Sequence, residues 1–582
     1  MTHDRPTTIT ETCAWAAARY GDNVAIRQVR GEVKHELTYT ELAAAVRKVA
    51  AGLLAIGVRA GDRVALLAET CPEWTVCDLA VASVGAVCVP IYPTNSANEC
   101  AWVLGDSGAK VLICEGQEHL DRIAEIRGSL PGLETVVAME VANDTDVLSL
   151  NGLRGMGLTE NLSGVAVPEV TEPNTIVYTS GTTGPPKGCR LTHRNWRTSL
   201  DAIRTATTLG PGDVIYVYLP LAHLFSRMVV LTALECGATL HYFGGDISQV
   251  VAELATVRPT HLPSVPRMFE KVYRTVLSHA GADGPARVAA AVEVGLRVRA
   301  ARESGTPVSA ADEAAFERAE TALFSLVRAA FGGQVREALS GAAPIAKEIL
   351  EFFYACGVPI HEAYGMTEST ALISANIPGA IRFGTVGRAL PGIEVRIAPD
   401  GEILASGANV FAGYHGNPVA TAETVVDGWL HTGDLGELDD DGYLTISGRK
   451  KDIIITAGGK NLTPANLETD LRQCPLVSHA VMVGDRRPYP VVLLVLDTEE
   501  VAAWAAERGL TDVGPTQPEL LAMLQDVVDR ANSAYAPPER VRRFAVLDRD
   551  FSQETGELTP TLKVRRKAVS DLYASVIEGL YA

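Results

Sequence analysis

The most chemically distinctive stretch of the chain is the loop Tyr178–Gly188. It contains three glycines, four serine or threonine residues and a single lysine, Lys187. Glycine lets the backbone turn its N–H groups towards an anion, hydroxyls add donors or a metal ligand, and lysine adds a mobile positive charge. This combination predicts a loop that grips a polyphosphate, although an ordinary polar turn is the alternative. It is not a Walker A loop, because the Gly-Lys-Ser/Thr ending of that motif is missing.

Two further segments suit a nucleotide. In Tyr364–Glu368 a carboxylate stands beside a hydroxyl, which suits magnesium and phosphate because magnesium prefers hard oxygen ligands. Taken alone, the Thr367-Glu368 pair is more often a helix cap. The small-residue turn Ser340–Pro344 would let a flat ring approach the backbone.

Three charged residues nearer the C-terminus complete the candidate set. Asp434 ends an acidic turn, and its carboxylate could accept both hydroxyls of a ribose. Arg449 follows fifteen residues later and could reach the same sugar or a phosphate. Lys563 stands in a turn restrained by Pro560. The alternatives are a solvated basic patch around Arg449 and a solvated basic tail after Lys563.

The elements that must position these residues alternate between strand and helix patterns. An apolar segment at 175–178 predicts a strand before the loop, and Thr192 predicts the start of a helix after it. Thr40 is predicted to cap a helix that runs through Leu54. The apolar window 79–92 predicts a buried helix that leads into a strand. Alternation of this kind predicts α/β layers with a largely parallel sheet.

A chain of 582 residues is too long for one core, so two or more domains are expected. We place the boundary near 448, which gives a domain over 1–447 and a second over 448–582. Residues 280–332 are rich in Ala, Arg and Glu, which predicts one or two amphipathic helices that project from the sheet core as a solvated insertion.

The composition excludes several classes of function. A formal net charge of −19 disfavours nonspecific binding to nucleic acid or to anionic membranes. Ten scattered cysteines without a CxxC pair predict reduced thiols in a cytoplasmic protein. The N-terminus does not resemble a signal peptide, and no apolar window is long enough to cross a bilayer.

The order and spacing of these motifs resemble the adenylate-forming superfamily of acyl-CoA synthetases, peptide-synthetase adenylation domains and luciferases. The resemblance covers the chain from about Leu37 to Lys563. Within the superfamily it is closest to the long-chain fatty acyl-CoA synthetases. That branch is indicated by two substrate-side segments, Leu219–His223 and Pro259–Arg267, and by Ile453–Asn461.

The resemblance implies a fold, a reaction and a set of substrates. The fold would be α/β, with a large multi-sheet N-terminal domain of layered α/β subdomains and a small mobile α+β C-terminal domain. The reaction would join a long-chain fatty acid to ATP as an acyl-adenylate and then to coenzyme A, with Mg²⁺ as the metal. No nucleic acid partner is expected, the oligomeric state is open, and transient membrane association remains an alternative to a purely cytoplasmic enzyme.

The resemblance also implies residue roles on the phosphate side. The β and γ phosphates would contact Thr179, Ser180, Gly181, Thr182, Thr183, Gly184 and Lys187. Magnesium would lie near Thr182 and Glu368. Thr367 would contact the α-phosphate.

Further roles follow on the nucleoside and acyl sides. The adenine slot would comprise Gly341, Ala342, Glu362, Ala363 and Tyr364. The ribose would contact Asp434 and Arg449. Lys563 would bridge the substrate carboxylate and the α-phosphate, and His223 would gate the acyl pocket. Lys451 would be the hinge about which the small domain rotates between steps, which would move Lys563 out and the Gly458-Gly459 segment in beside the coenzyme A channel.

Other functions stay open at the level of sequence. They are a ligase for a medium-chain or aromatic carboxylate, a fatty acyl-AMP ligase that loads a carrier protein, and a non-enzymatic scaffold. The family's usual Ser-Gly-Lys at the final lysine is here Thr-Leu-Lys, as in the long-chain branch.

Overall fold

Parallel strands rich in Val, Ile and Leu organise the N-terminal part of the chain. A computed structural model describes residues 5–140, 146–157, 162–179, 185–279, 284–457, 461–510, 513–559 and 563–582. The strands over 24–192 are β1 Val24–Arg30, β2 Val33–Thr38, β3 Arg63–Leu67, β4 Val87–Ile91, β5 Val111–Cys114, β6 Thr135–Ala138, β7 Leu148–Ser149, β8 Pro173–Thr179 and β9 Lys187–Thr192. The helices are α1 Thr12–Tyr20, α2 Tyr39–Ala55, α3 Pro72–Ser83, α4 Ala97–Ser107, α5 Gln117–Ile126, α6 Leu150–Met156 and α7 His193–Arg204.

Most of these strands form one sheet in the order β7-β6-β5-β3-β4-β8-β9. The strands β3, β4 and β5 are buried almost throughout, as expected for parallel strands with helices on both faces. The predicted helix and strand over 79–92 are confirmed as α3 and β4. Thr192 caps α7 as predicted, but the prediction of Thr40 as a cap is wrong. Thr38 caps α2, because its side chain and that of Glu41 form a reciprocal capping box.

The second sheet takes its strands mainly from the next part of the chain. These are β10 Val214–Val217, β11 Thr239–Tyr242, β12 His261–Ser264, β13 Glu337–Ser340, β14 Ile360–Tyr364, β15 Ser374–Ala375 and β16 Arg388–Ala389. The helices are α8 Leu224–Cys236, α9 Val250–Val257, α10 Pro266–His279, α11 Gly284–Ser304, α12 Ala310–Ala319, α13 Ser325–Ala330 and α14 Lys347–Cys356. The sheet order is β16-β15-β14-β13-β12-β10-β11-β1-β2, so the first two strands of the chain form one edge of this sheet.

The insertion over 280–332 differs from its prediction. It is helical, but it comprises α11, α12, a π-helical turn at Glu320–Phe324 and α13, and it does not project freely into solvent. Val298 and Phe324 are fully buried in the core beside α14. A Cβ at Gly295 would lie 2.7 Å from the Cβ of Ala355, so α11 packs closely on α14.

A third, antiparallel sheet leads into the C-terminal part. It contains β17 Ile393–Ile397, β18 Glu402–Gly407, β19 Val425–Val426, β20 Trp429–Leu438 and β21 Leu444–Arg449, and α15 Pro418–Thr424 lies beside it. The strand β21 ends one residue past the predicted domain boundary at 448, which stays a prediction.

The last 130 or so residues form a smaller α+β unit. Its strands are β22 Ile454–Ile455, β23 Asn461–Leu462, β24 Val477–Val483, β25 Val491–Leu496 and β26 Arg543–Val546. Its helices are α16 Pro464–Arg472, α17 Thr498–Glu507, α18 Pro518–Ser533, α19 Arg566–Leu572 and α20 Ala574–Gly579. The fully buried β25 is the central strand of its sheet, flanked by β24 and β26. The predicted fold class, a large multi-sheet α/β part followed by a smaller α+β part, is confirmed.

Candidate active site

The antiparallel pair β8 and β9 carries the predicted phosphate loop. Thr179 and Lys187 lie opposite each other in its register, at the point where the two strands open into the loop. Seven residues, 180–186, connect the two strands, and five of them, the predicted phosphate ligands Ser180, Gly181, Thr182, Thr183 and Gly184, lie outside the described residues. The far side of the loop is tied to α4, because Trp102 Nε1 donates a hydrogen bond of 2.9 Å to the carbonyl oxygen of Pro186.

Lys187 belongs to a cluster with Tyr414 and Glu368. Its Nζ lies 5.0 Å from the centre of the Tyr414 ring, within the range of a cation–π contact. The hydroxyl of Tyr414 donates a hydrogen bond of 2.7 Å to Glu368 Oε1. The sequence analysis missed Tyr414, because no local pattern links it to a carboxylate 46 residues earlier.

The turn that holds Glu368 depends on a glycine. A Cβ at Gly365 would lie 1.9 Å from the carbonyl oxygen of Ala371, so the chain can fold back here only with glycine. The turn then places Thr367 and Glu368 in one short 3₁₀ helix, with Thr367 half-buried and Glu368 buried. Thr367 and the carboxylate therefore lie beside each other at the end of β14, as the sequence predicts.

The donor set around Glu368 fits magnesium that arrives with a nucleotide. Within the described residues there is no group of three or more His, Cys, Asp or Glu side chains that could hold a metal alone. Magnesium characteristically binds one or two protein carboxylates and takes its remaining ligands from phosphates and water. A single buried carboxylate close to Lys187 matches that requirement.

Tyr364, Asp434 and Arg449 form a second cluster. Asp434 on β20 and Arg449 on β21 are directly opposite in the strand register. Arg449 Nε lies 3.0 Å from Asp434 Oδ1, and the hydroxyl of Tyr364 donates a hydrogen bond of 2.8 Å to Oδ2. Burial, reinforced by the Asp434 charge, raises the pKa of Tyr364 well above its usual range, so this hydroxyl stays a donor. For Arg449, burial lowers the pKa, but the Asp434 carboxylate outweighs burial and raises it.

The predicted adenine slot lies between the ends of β13 and β14. Ser340 is opposite Glu362 in the parallel register, and Gly341 follows at the sheet edge. A Cβ at Gly341 would lie 3.6 Å from the carbonyl oxygen of Ala363, so the two segments approach closely. The next residue, Ala342, has a positive φ of 69°, which turns the chain away from the sheet.

The carboxyl of Glu362 has an unusually high pKa. Burial raises the pKa of its carboxyl to about 8, although a backbone hydrogen bond from Ile345 partly offsets that effect. The carboxyl is therefore mostly protonated at neutral pH, and a neutral carboxyl can donate one hydrogen bond and accept others. This suits contact with an uncharged ring better than contact with a phosphate.

Lys563 lies in the same electrostatic neighbourhood, although it belongs to the C-terminal part. Burial within the surrounding protein and the nearby Arg449 charge lower its pKa to about 8, while Asp434 and Glu368 oppose that shift. The side chain is nevertheless exposed to solvent within the cleft. The structure therefore brings Lys563 together with the two clusters formed by the N-terminal part.

The segment around Lys563 is fixed firmly to the C-terminal unit. The backbone N–H of Thr559 donates to the carbonyl oxygen of Lys563 at 2.8 Å, and the N–H of Lys563 donates to Thr559 Oγ1 at 3.0 Å. On one side, the fully buried Glu557 pairs with Arg549. On the other, Arg566 makes two hydrogen bonds of 2.7 and 2.8 Å to the carboxylate of Glu468.

His223 caps the N-terminus of α8 and lies close enough to Lys563 for the lysine charge to act on its ring. The backbone N–H of Phe225 donates to His223 Nδ1 at 3.2 Å, and the Tyr92 ring lies edge-on at 6.5 Å. Burial and the nearby Lys563 charge lower the pKa of His223 to about 4. The imidazole is therefore neutral at pH 7, and because Nδ1 accepts a hydrogen bond, the proton lies on Nε2.

An apolar pocket extends from Phe225 into the protein. It lies between α7 and α8 on one wall and the strands β12, β13 and β14 on the other, and it contains about 750 Å³ of space free of protein atoms, including its open mouth. Its mainly apolar lining is typical of a small-molecule site. The sequence analysis predicted a gating role for His223, which stays a prediction, but it did not predict the residues that line this pocket.

Two predicted features are not brought into the site. Lys451 is exposed in the 3₁₀ helix Lys450–Asp452, whereas its neighbour Lys450 pairs with Asp400 at 2.6 Å and with Glu402 at 3.2 Å. Gly458 and Gly459 lie outside the described residues. The roles predicted for these residues therefore stay predictions.

Two family descriptions match most of the chain. Residues 13–415 match the family described as AMP-binding enzyme, and residues 451–582 match the AMP-binding enzyme C-terminal domain. The chain belongs to the AMP-binding enzyme family. The resemblance stated from the motifs is thereby confirmed.

Individual members of the AMP-binding enzyme family match over nearly the full length. The long-chain-fatty-acid–CoA ligase FadD15 of Mycobacterium tuberculosis is 41% identical over 96% of this chain and 94% of its own. The long-chain-fatty-acid–CoA ligase ACSBG2 of Gallus gallus is 31% identical over 100% of this chain and 82% of its own. The crystal structure of the adenylation domain of a carboxylate reductase from Mycobacterium chelonae has a TM-score of 0.80 at 22% identity, covering 99% of this chain and 92% of that one. That last likeness concerns the fold.

In the described part of the chain, no helix is long and apolar enough to cross a membrane.

Proposed function

We propose that this AMP-binding enzyme activates a long-chain fatty acid with ATP and transfers the acyl group to coenzyme A. The observation that carries the proposal is that Lys563, which belongs to the C-terminal unit, lies close enough to Glu368, Asp434 and Arg449 for their charges to act on its ammonium group. The apolar pocket beyond His223 supports a hydrocarbon substrate, and the relatives named long-chain-fatty-acid–CoA ligase support the same class.

In the first step an oxygen of the fatty acid carboxylate attacks the α-phosphorus of ATP. The new O–P bond gives acyl-AMP, the bond to the β-phosphate breaks, and pyrophosphate leaves. Lys563 neutralises charge on the carboxylate and the α-phosphate, where an ammonium on a flexible stem can follow the moving charge. Lys187 and Thr179 contact the leaving pyrophosphate, and Thr367 contacts the α-phosphate.

The remaining residues hold the nucleotide in line. Asp434 accepts the ribose hydroxyls while Arg449 and Tyr364 keep its carboxylate oriented. Adenine occupies the slot between Gly341 and Ala363. Glu368 would hold magnesium, whose positive charge would offset the charge of the phosphates. Because this step needs positioning and charge stabilisation more than proton transfer, a dedicated acid–base pair is not required.

In the second step the sulfur of coenzyme A attacks the acyl carbon, the C–O bond to AMP breaks, and the thiol proton is released. Lys563 would obstruct the approach of the thiol while it occupies the cleft. We propose that the C-terminal unit, with Lys563 attached, rotates about the segment at Lys451 between the two steps.

The proposed function is tested by incubating the purified chain with ATP, Mg²⁺ and hexadecanoic acid. We expect pyrophosphate release that depends on the fatty acid, and hexadecanoyl-CoA once free coenzyme A is added. Acyl-AMP that passes only to a carrier protein would instead support a fatty acyl-AMP ligase. No pyrophosphate with any acid would contradict the proposal.

A further inference from the structure

The lining of the apolar pocket is mainly apolar but includes polar side chains, among them Thr232 and His361. On the helix wall, Phe225, Met228, Val229 and Thr232 follow one another at helical spacing. On the sheet wall, Leu339 lies opposite His361 in the parallel register. Both Thr232 and His361 line the pocket among mainly apolar neighbours.

The two polar side chains line the same pocket from different elements. Thr232 is seven residues beyond Phe225 on α8, which is about 10 Å along a helix. His361 is three residues before Tyr364 on β14, which is also about 10 Å along a strand. Each side chain is therefore set back about two turns of helix or three residues of strand from the end of its element nearer to the candidate site.

Both side chains lack the partners that buried polar groups normally have. His361 is 5% exposed and Thr232 is 4% exposed. Among the described residues, the two ring nitrogens of His361 have no hydrogen-bond partner, and neither does the hydroxyl of Thr232. An unpaired buried polar group costs about 1–3 kcal/mol, so such groups are rarely left without a partner unless a ligand or a water supplies one.

The neighbouring polar groups do not account for them. Glu337 at the far end of the pocket accepts hydrogen bonds of 2.9 Å from the Thr207 hydroxyl and from the Thr208 backbone N–H. His261 Nε2 lies 3.7 Å from Glu337 Oε2 and faces that carboxylate. Burial lowers the pKa of His361, so its ring is neutral and offers one donor and one acceptor.

We propose that the acyl pocket is built for a fatty acid that carries a hydroxyl group within its chain, bound between His361 and Thr232. This inference rests on the proposed function and narrows its substrate class. A hydroxyl both donates and accepts, which matches the neutral imidazole and the threonine hydroxyl. The apolar residues on either side accommodate the hydrocarbon before and after it.

The test compares octadecanoic acid with octadecanoic acids that carry one hydroxyl, moved carbon by carbon from the middle of the chain towards the methyl end. Pyrophosphate release is measured with saturating ATP and coenzyme A. We expect one hydroxyl position, or two adjacent ones, to give a kcat/KM about tenfold above that of octadecanoic acid. The other positions should fall below it, because they place a hydroxyl against apolar walls.

Two variants assign the preference to residues. Thr232→Val preserves the shape of the side chain and His361→Phe preserves a ring. In each variant the ratio of kcat/KM for the hydroxylated acid to kcat/KM for octadecanoic acid should fall towards one. As a matched control, Met228→Leu on the same face of α8 should change kcat/KM for both acids by the same factor. Thermal unfolding of each variant shows whether it remains folded, and the comparison of substrates on the unmodified enzyme needs no variant.

The outcomes separate this inference from the proposed function. If octadecanoic acid is activated and no hydroxylated isomer exceeds it, the inference is wrong, the two polar side chains bind water, and the proposed function stands. If no acid yields pyrophosphate, both are wrong. A preference that persists in both Thr232→Val and His361→Phe would also overturn the assignment.

Discussion

Asp434 and Lys563 both serve the candidate site, but the protein holds them in different ways. Asp434 lies on a ladder of strands, opposite Arg449, with a hydrogen bond from the buried Tyr364. Lys563 lies on a turn that is anchored to Glu557 and Arg566 of its own C-terminal unit. The charge of Asp434 is fixed to the third sheet, where we propose that the ribose binds, whereas the charge of Lys563 is fixed to the C-terminal unit.

The contact that docks the lysine segment is weak by comparison. Arg565, two residues from Lys563, approaches Glu99 of α4 at 3.7 Å, with side chains 40% and 30% exposed. Exposed ion pairs of this kind contribute about 0–1 kcal/mol, so breaking this one costs little. The difference is the one expected if, as we propose, Lys563 withdraws with the C-terminal unit between the two steps while Asp434 stays in place.

Replacing Lys563 should have the largest effect on the difference between the two half-reactions. Lys563→Ala should reduce acyl-AMP formation about a thousandfold, since one preorganised charge at the reacting atoms is worth 10²–10³ in rate. It should leave the conversion of supplied acyl-AMP to acyl-CoA largely intact. The two half-reactions are followed separately, by pyrophosphate release and by acyl-CoA formation.

The matched control is Lys567→Ala on the same unit, where the lysine pairs with Asp571 on the surface. It should change neither half-reaction. Equal loss of both half-reactions in Lys563→Ala would refute the role assigned to this lysine.

Removing charge from the fixed part should have the next largest effect. Glu368→Gln should lower magnesium-dependent adenylation on the order of a hundredfold, because one electrostatic stabiliser of the phosphates is lost. Tyr414→Phe, which retains the carboxylate and removes only its hydrogen bond, should cost about tenfold. A near-normal rate and magnesium dependence in Glu368→Gln would place the metal site elsewhere.

The lowered pKa of Lys563 predicts a pH dependence for adenylation. With a pKa of about 8 in the free enzyme, its charged fraction falls about tenfold per pH unit above that value. The kcat/KM of adenylation should therefore decline above pH 8, since this parameter reports ionisations of the free enzyme. Thioester formation from supplied acyl-AMP should show no such decline, and an identical decline there would contradict the assignment.

A separate expected effect concerns stability, and not rate, at the adenine slot. The folded-state pKa of Glu362, about 8, is raised above the unfolded value near 4.5, so folding retains a proton that the unfolded chain releases. This contribution is fully present below pH 4.5 and is lost as pH rises to 8, at up to about 1.4 kcal/mol per pH unit. Glu362→Gln should remove that slope in urea unfolding measured from pH 5 to 8. An unchanged slope would show that the carboxyl is ionised.

The residues that could be predicted from the sequence are those whose chemistry is local. The hydroxyl- and glycine-rich loop after a strand, the cap at Thr192 and the carboxylates at turns each depend on a few neighbouring residues. The erroneous cap at Thr40 had a local remedy too, since Thr38 and Glu41 have the spacing of a capping box.

What could not be predicted depends on residues far apart in the chain. Tyr414 contacts Glu368 only in the folded chain, across 46 residues of sequence. Thr232 and His361 line one pocket only because α8 and the second sheet pack together. The insertion seemed solvated because its composition is polar, whereas its burial depends on Gly295 packing against Ala355. Periodicity alone does not reveal such pairs.

The most direct test of the central claim is to stop the lysine unit from leaving. Cysteines introduced by Glu99→Cys and Arg565→Cys can be joined by a short, reducible bis(methanethiosulfonate) linker, while nine of the ten native cysteines are buried and Cys474 can be replaced by serine. The linked enzyme should form acyl-AMP and pyrophosphate once per site but no acyl-CoA, and reduction should restore turnover. Acyl-CoA formation at the unlinked rate by the linked enzyme would contradict the account.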